Sequence, residues 1–254
     1  MAPPSPGALL QPLPTPLSTH SPLLSRFQSS CQTLCTSILS LLSTALEIPD
    51  PSYFSARHDQ SKGPTGSIFR LLYYPRSDNN KREKNEDESV NIRAGAHSDY
   101  GSITLLFRET GNAGLQLLSQ TGEWINVPVD PSAPSNTNHT PNSSHTSPPP
   151  PILINIGDLL CYWTAGLLKS TVHRVTFSGG VERYSMAYFC HPLDEVRLER
   201  VPGSVIEEFG GRGAVELGRQ RERLGFGQDG DGGVDGVITA KEHLEKRLKV
   251  TYGL

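Results

Sequence analysis

The chain has 254 residues and a mass of 27.7 kDa, enough for one domain with a sizeable core. Its 23 basic and 26 acidic residues leave a formal charge of −3, so no basic excess is available to attract nucleic acid or an anionic membrane. No stretch approaches the roughly 20 apolar residues of a membrane-spanning helix, and the four cysteines form no C-x-x-C pair. We therefore expect a cytoplasmic protein whose partner is a small molecule.

The first 24 residues are rich in proline and serine, and we expect them to be irregular. Each proline removes a backbone donor and fixes φ. A helix is expected from Ser25 to about Ile48, where apolar residues recur at helical spacing before Pro49 ends the pattern. We expect this helix to pack one face on the core through Leu34, Ile38, Leu41, Leu42 and Ala45.

After Gly66, short β-type runs alternate with turn residues, which is typical of a sandwich or barrel. The runs are SIFRLLYY, SITLLF, LQLL, WINVPV, ILINIGDLL, STVHRVTF and RYSMAYFC. Two polar stretches interrupt them. The first, 77–88, is a mixed-charge loop, and the second, 131–151, is an inserted tract too poor in apolar residues to pack and expected to be disordered. These runs predict one mainly β domain with flanking helices over 25–200.

The last part of the chain, 201–254, is rich in glycine and charge and ends in a predicted helix from about Thr239 to Thr251. Thr239 is followed three residues later by Glu242, the pattern of a capping box in which each residue satisfies a backbone N–H of the other. We expect this tail to belong to the same domain as the strands.

The segment IRAGAHSDYGSITLLF contains the tripeptide His97-Ser-Asp99. In a strand, side chains two residues apart leave the same face, so this imidazole and carboxylate would point to one spot where a metal could take both. Two histidines and one carboxylate, with the other positions open, suit a non-haem Fe(II) oxygenase. A tripeptide of this kind is a weak signal by itself, because it arises by chance in many chains.

The third ligand must come from elsewhere in the sheet. His173 is the best candidate because it lies inside another β-type run, while His58 and His191 stay possible but lack comparable surroundings. A structural zinc site is disfavoured, because such sites are normally closed by four ligands rich in cysteine and neither Cys161 nor Cys190 has a companion.

A second pair at two-residue spacing, Arg183 and Ser185, lies in a later β-type run. The planar fork of arginine matches a carboxylate bidentately, and the serine hydroxyl adds one more donor. Arg183 could instead form a surface or strand-pairing ion pair. The order of the elements favours a carboxylate receptor, which suits an enzyme that binds a dicarboxylate oxoacid with one end on the metal and the other on the protein.

At these residues the sequence resembles the isopenicillin N synthase-like superfamily of 2-oxoglutarate- and Fe(II)-dependent dioxygenases, over about 27–187 and weakly towards the C-terminus. The phrases that carry the resemblance are LLYYPR, IRAGAHSDYGSITLLF, GLQLL with GEWINVPV, ILINIGDLL, STVHRVTF and ERYSMAYFCHP. The resemblance implies a double-stranded β-helix, or jelly roll, with flanking helices. It also implies Fe(II), 2-oxoglutarate and O2 as cofactor and cosubstrates.

The resemblance assigns roles to individual residues. Arg183 and Ser185 would bind the distal carboxylate of 2-oxoglutarate, and Tyr74 would help to hold its metal-proximal end. The implied iron ligands are His97, Asp99 and His173. The implied reaction hydroxylates or desaturates a small molecule, for example in specialised metabolism, and converts 2-oxoglutarate to succinate and CO2. It takes place at the metal, so no catalytic side chain is expected beyond the metal centre.

Three aromatic residues near the motifs are candidates for the substrate pocket: Phe107, Trp163 and Phe189. Two alternatives to the dioxygenase hypothesis stay open. One is an oxidase of the same superfamily that uses no oxoacid, in which Arg183 and Ser185 bind a carboxylate of the substrate. The other is a truncated, inactive metal-binding relative, because family members usually carry a longer region before the helix predicted near Ser25.

Overall fold

The structure is a computed structural model that describes residues 13–76, 92–110, 113–129, 150–176, 182–213, 215, 218 and 237–253. The predicted loop at 77–88, nearly all of the one at 131–151 and the Gly-rich stretch at 225–236 lie outside the described residues. The helices are Thr15–Ser18 (α1), Ser21–Ala45 (α2), Tyr53–Arg57 (α3), Asp158–Trp163 (α4), Ser204–Phe209 (α5) and Ala240–Tyr252 (α6). The strands are Ile68–Tyr74 (β1), Ile92–His97 (β2), Ile103–Arg108 (β3), Leu115–Leu118 (β4), Trp124–Asn126 (β5), Leu153–Ile156 (β6), His173–Thr176 (β7) and Arg183–Cys190 (β8).

The expectation of an irregular lead over 1–24 is wrong from Thr15 onward. That residue begins α1, and α2 begins at Ser21, before the predicted start. Each helix has a proline in its first turn, Pro16 in α1 and Pro22 in α2. The first turn tolerates proline because its N–H groups have no intrahelical partner and a fixed φ near −65° suits the helix. The prolines here mark helix starts rather than irregular chain.

The predicted core-facing side of α2 is confirmed in part. Leu34, Ile38 and Leu42 are partly buried and pack against the core, whereas Leu41 is 69% exposed and Ala45 is exposed. The buried side chains are spaced four residues apart, at Cys31, Cys35, Leu39 and Ser43. The two cysteines act as small apolar residues, and the Ser43 hydroxyl donates to the Leu39 carbonyl oxygen at 3.1 Å. This stripe covers the outer face of one sheet together with α3.

Replacing Leu39 with alanine tests that packing. Leu39 is fully buried, so the substitution leaves a cavity and is expected to lower the free energy of unfolding by about 2–5 kcal/mol. Leu41→Ala on the exposed face of the same helix is the matched control and is expected to change it by less than about 0.5 kcal/mol. Urea unfolding measures both, and equal effects would contradict the described orientation of α2.

In the described part of the chain, eight strands form two antiparallel four-stranded sheets, in the orders β1-β8-β3-β6 and β2-β7-β4-β5. The predicted double-stranded β-helix with flanking helices is confirmed. One predicted β-type run, ILINIGDLL, divides at Gly157 into β6 and α4. Asp158 lies in the first turn of α4, where an acidic side chain interacts favourably with the positive end of the helix dipole. The start of α4 contacts the segment that follows β2 through backbone hydrogen bonds.

The C-terminal helix α6 has the predicted capping box. The Thr239 side chain accepts a hydrogen bond from the backbone of Glu242, whose carboxylate accepts one from the Thr239 backbone at 2.7 Å. The helix buries Ala240, His243 and Arg247, and Arg247 pairs with Asp158 of α4. Within the described ranges, no helix combines the length and apolar character that a membrane crossing requires.

Candidate metal centre

Strands β2 and β7 bring two histidines face to face. The antiparallel pairing of these strands sets His97 directly opposite His173, and their ring centroids lie 4.4 Å apart. Side chains opposite each other in an antiparallel pair leave the same face of the sheet. The two imidazoles therefore converge through strand pairing, although they lie far apart in the sequence.

Asp99 completes the cluster from a position just beyond the strand. His97 and Asp99 were predicted to share one strand face, but β2 ends at His97, so the strand alternation does not explain the convergence. One carboxylate oxygen of Asp99 lies 3.7 Å from Nε2 of His173, and one ligand atom from each of the three residues lies within 4.8 Å of the others. The residues named by the spacing hypothesis do converge, although strand alternation is not the reason.

Hydrogen bonds orient all three side chains. Nδ1 of His97 lies 2.7 Å from the carbonyl oxygen of Gly95, and Nδ1 of His173 lies 3.1 Å from that of Thr171. Because a carbonyl oxygen only accepts, each Nδ1 carries the proton and each Nε2 keeps its lone pair for a metal. The second carboxylate oxygen of Asp99 accepts a hydrogen bond from the side-chain amide of Asn155 at 2.7 Å.

The electrostatics also favour the metal-binding form of His97. Desolvation lowers the pKa of His97, and the neighbouring His173 lowers it further, so the neutral imidazole is favoured. Two imidazoles and one carboxylate, converging from one side, form a donor set that fits Fe(II) with open positions for other ligands. The residues present therefore fit the metal that the resemblance implies.

The segment that carries Asp99 packs against the start of α4. Asp158 N–H donates to the Asp99 carbonyl oxygen at 2.7 Å, and Leu159 N–H donates to that of Gly101 at 3.1 Å. A Cβ atom added at Gly157 would lie 2.2 Å from the Gly101 carbonyl oxygen, so only glycine permits this approach. Backbone contacts between these two segments thus fix the position of Asp99 relative to the sheet.

An ion pair from α6 holds the same junction. Arg247 Nε lies 3.0 Å from a carboxylate oxygen of Asp158, with side chains 7% and 0% exposed. That oxygen also accepts a hydrogen bond from the Ser98 hydroxyl at 2.9 Å. Nη2 of Arg247 also donates to the Ser98 hydroxyl at 3.4 Å, so α6 contacts the residue between the two sequence-predicted ligands, His97 and Asp99. Sequence reasoning missed this role, because nothing local to α6 relates it to the metal segment.

Removing Arg247 tests the coupling between α6 and this junction. Arg247→Met removes the cation paired with the buried carboxylate of Asp158, so we expect the free energy of unfolding to fall by about 3–5 kcal/mol. The matched control is Lys241→Met, which breaks an exposed pair with Glu245 on the same helix and should have little effect. Chemical denaturation of both variants measures the difference, and a near-neutral Arg247→Met would contradict this account.

Arg183 and Ser185 lie on β8, in the sheet opposite the two histidines. Both are buried, and Nη1 of Arg183 donates to the Ser185 hydroxyl at 3.3 Å. Tyr74, the register partner of Arg183 on β1, places its ring 5.2 Å from the guanidinium carbon. The three residues implied by the resemblance are therefore adjacent on one sheet.

The register of the strands shows that this face looks towards the metal-binding cluster. Thr104 on β3 pairs with Asn155 on one side and with Phe189 on the other, so all three share one face. Asn155 reaches Asp99 from that face, and Phe189 shares it with Ser185 by the two-residue period of β8. Asn155 was not singled out by the sequence argument. Its signal was a lone polar residue in the apolar run ILINI.

The structure separates the three aromatic pocket candidates. Phe107 leaves the opposite face of β3 and packs on Phe27 of α2 with ring centroids 5.0 Å apart. Trp163 is 2% exposed among core aromatic residues, and its indole N–H donates to the Glu199 carbonyl oxygen. Both are core residues, so the hypothesis that they line a substrate pocket is wrong. Phe189 alone of the three lies on the face that carries Ser185.

The other histidines considered as ligands lie in a separate buried group. His58 contacts the Phe54 carbonyl oxygen and the Ser102 hydroxyl through its two ring nitrogens, at 2.7 and 2.8 Å. Burial lowers the pKa of His58 and of His191 to about 4, and that of His243 to about 3. These residues are neutral core histidines, and the metal-ligand cluster found among the described residues contains none of them.

This group makes stability depend on pH. Between pH 6.5 and about 4 the unfolded chain binds protons that the folded protein excludes, so the free energy of unfolding falls as the pH is lowered. His243→Leu is expected to reduce that slope by about 1.4 kcal/mol per pH unit. Denaturation curves measured across this range test it, with His20→Leu at an exposed position as the control. An unchanged slope in His243→Leu would refute the assignment.

Comparisons with known proteins agree with this architecture. The sequence model of the 2OG-Fe(II) oxygenase superfamily matches residues 65–192. The 2-oxoglutarate-dependent dioxygenase htyE of Aspergillus rugulosus is 32% identical over 237 residues, covering 89% of this chain and 57% of that protein. The 2-oxoglutarate-dependent dioxygenase iboH of Amanita muscaria is 30% identical over 201 residues, covering 76% of this chain and 83% of that protein.

Solved structures share the fold as well. A full-length Neurospora crassa protein, solved by crystallography in complex with alpha-KG, superposes with a TM-score of 0.63 at 28% identity, over 93% of this chain and 58% of that one. The chain spans 59% and 57% of the first two curated relatives that it matches. From the family match, the shared fold and the converging side chains, we conclude that the chain belongs to the 2OG-Fe(II) oxygenase superfamily.

Proposed function

We propose that this protein is a non-haem Fe(II) dioxygenase that oxidises a small molecule and converts 2-oxoglutarate to succinate. One observation carries the proposal. The convergent set of His97, Asp99 and His173 on one side faces the buried guanidinium and hydroxyl of Arg183 and Ser185 on the opposite sheet. A metal face and a carboxylate receptor on two facing sheets suit an oxoacid that spans the space between them.

Each group in the site has a defined task. The two imidazoles and the carboxylate would hold Fe(II), which when bound couples the oxidative decarboxylation of the oxoacid by O2 to the oxidation of a substrate C–H bond. Arg183 and Ser185 would bind the distal carboxylate. Charge-assisted hydrogen bonds in a buried setting are strong and directional, so this pair would set the orientation of the oxoacid.

Secondary contacts support the same arrangement. The amide of Asn155 holds Asp99 in its orientation, and the carbonyl oxygens of Gly95 and Thr171 hold the two imidazole rings. Such contacts keep the ligands in place before the metal arrives and fix which nitrogen faces it. Tyr74 contacts the guanidinium from β1 and would help to position the oxoacid near its metal-proximal end.

A free small molecule is the proposed substrate, acted on in the cytoplasm. The net charge of −3 leaves no basic excess to attract nucleic acid. Among the relatives, one is named a proline hydroxylase, and the Neurospora crassa protein was also solved with thymine. Of the three aromatic candidates, Phe189 shares the face of Ser185 and would contact such a substrate.

Anaerobic titration of the Fe(II)-loaded protein with 2-oxoglutarate tests the proposal. The wild type should develop a metal-to-ligand charge-transfer band, and His97→Ala should lose it because one of three metal ligands is gone. Arg183→Ala should weaken 2-oxoglutarate binding by about 2–5 kcal/mol, since it removes a buried charge partner. The control Arg197→Ala removes an exposed arginine paired with Glu199 and should bind normally.

Succinate release upon admission of O2 separates the proposed dioxygenase from an oxidase that uses no oxoacid. A folded, iron-loaded wild type that shows no band and releases no succinate would refute the proposed function. A band without O2 consumption in the presence of candidate substrates would instead favour an inactive relative that retains the binding site.

A further inference from the structure

A second buried arginine, Arg108, lies beside the carboxylate-binding pair at the end of β3. Its register partner in β8 is Ser185, so both side chains leave the same face of the sheet. Arg183 lies two residues before Ser185 in β8, so its side chain leaves the same face of the sheet. Arg108 and Arg183 are 8% and 3% exposed. Two guanidinium groups therefore share one buried surface.

The contacts of Arg108 leave part of its hydrogen-bonding capacity unused. Its Nη1 donates to the Pro128 carbonyl oxygen at 3.0 Å and its Nη2 to that of Val129 at 3.4 Å. Its Nε is buried and finds no acceptor among the described residues, and the same is true of the Nε of Arg183. A buried donor without an acceptor is costly, so two such donors on one face point to a ligand that supplies acceptor oxygens.

The charges lead to the same conclusion. Backbone carbonyl oxygens are neutral, so they do not compensate the charge of Arg108. Burial lowers its pKa, and the positive charge of Arg183 lowers it further. The pKa of Arg183 is also lowered, chiefly by burial, against the opposing influence of Tyr74 and of the exposed Glu109. An anion bound between the two guanidinium groups would relieve their repulsion, because a buried charge is tolerated when it is paired.

We propose that Arg108 is a further binding residue for the distal carboxylate of the oxoacid, an inference that rests on the function proposed above. Its Nε–H donates to the same carboxylate as the guanidinium of Arg183 and the hydroxyl of Ser185, so donors from two strands surround that carboxylate. A receptor with two positive charges favours an oxoacid with a carboxylate at its far end over one with an uncharged tail. Arg108 thus determines cosubstrate specificity.

The test compares two ligands that differ only at the far end. 2-Oxoglutarate carries the distal carboxylate, and 2-oxopentanoate has the same chain length without it. Their dissociation constants are measured by calorimetry on anaerobic, Fe(II)-loaded protein, without turnover. Arg108→Gln removes the charge but keeps an amide donor for the Pro128 carbonyl oxygen. We expect the Kd for 2-oxoglutarate to rise about tenfold or more, while that for 2-oxopentanoate changes less than about threefold.

Arg57→Gln is the matched control, because Arg57 also donates to a backbone carbonyl oxygen, that of Tyr53, but on α3 away from the site. It should leave both dissociation constants unchanged. An unchanged Kd for 2-oxoglutarate in Arg108→Gln, or an equal rise in Kd for both ligands, would overturn the proposal. Arg108 would then serve only to bind the Pro128 and Val129 carbonyl oxygens.

Thermal unfolding checks that each variant is folded. If Arg108→Gln does not fold, Arg108→Lys replaces it, since lysine keeps the charge but lacks the Nε–H at that position. The ratio of the two dissociation constants must then still shift at least about threefold, and an unchanged ratio overturns the proposal. A wild type that does not bind 2-oxoglutarate at all would overturn both this inference and the proposed function.

Discussion

The antiparallel pairing of β2 with β7 sets His97 opposite His173, and the whole site depends on that register. Side chains alternate along a strand, so a slip of one residue would turn one imidazole to the other face of the sheet. The ladder is irregular, with register shifts on both sides of Ala94, yet it pairs the two histidines directly. Two residues far apart in the chain become neighbours through this pairing, and every other group of the site is placed relative to them.

The third ligand is positioned by packing rather than by strand geometry. Asp99 follows the end of β2, and its backbone is held by the N–H of Asp158 at the start of α4. Close approach of Gly101 and Gly157 makes this contact possible, and the ion pair from Arg247 holds it from the other side. A helix at the C-terminal end of the described chain therefore supports the segment that carries the carboxylate.

The opposite sheet supplies the positively charged groups of the site. Its inner face collects two buried arginines, Arg108 and Arg183, whose Nε donors find no acceptor in the described part of the chain, next to the hydroxyl of Ser185. Such a surface is unfavourable without an anion, because buried cations lose their hydration and repel each other. These donors need an anionic acceptor, and the converging ligands on the facing sheet suit a metal ion that binds an oxoacid. An oxoacid with two carboxylates would satisfy the donors with one end and the metal with the other.

Local patterns in the sequence determined much of this protein. Alternating apolar runs predicted the strands, the Thr239 capping box predicted the last helix, and the spacing of Arg183 and Ser185 predicted a shared face, because these features depend on neighbours within a few residues. Only the tertiary structure decided that Asp99 converges from outside the strand, that Trp163 is core rather than pocket, and that Arg108 and Asn155 face the site. Those facts depend on strand order and on packing between distant segments, and no local pattern encodes either.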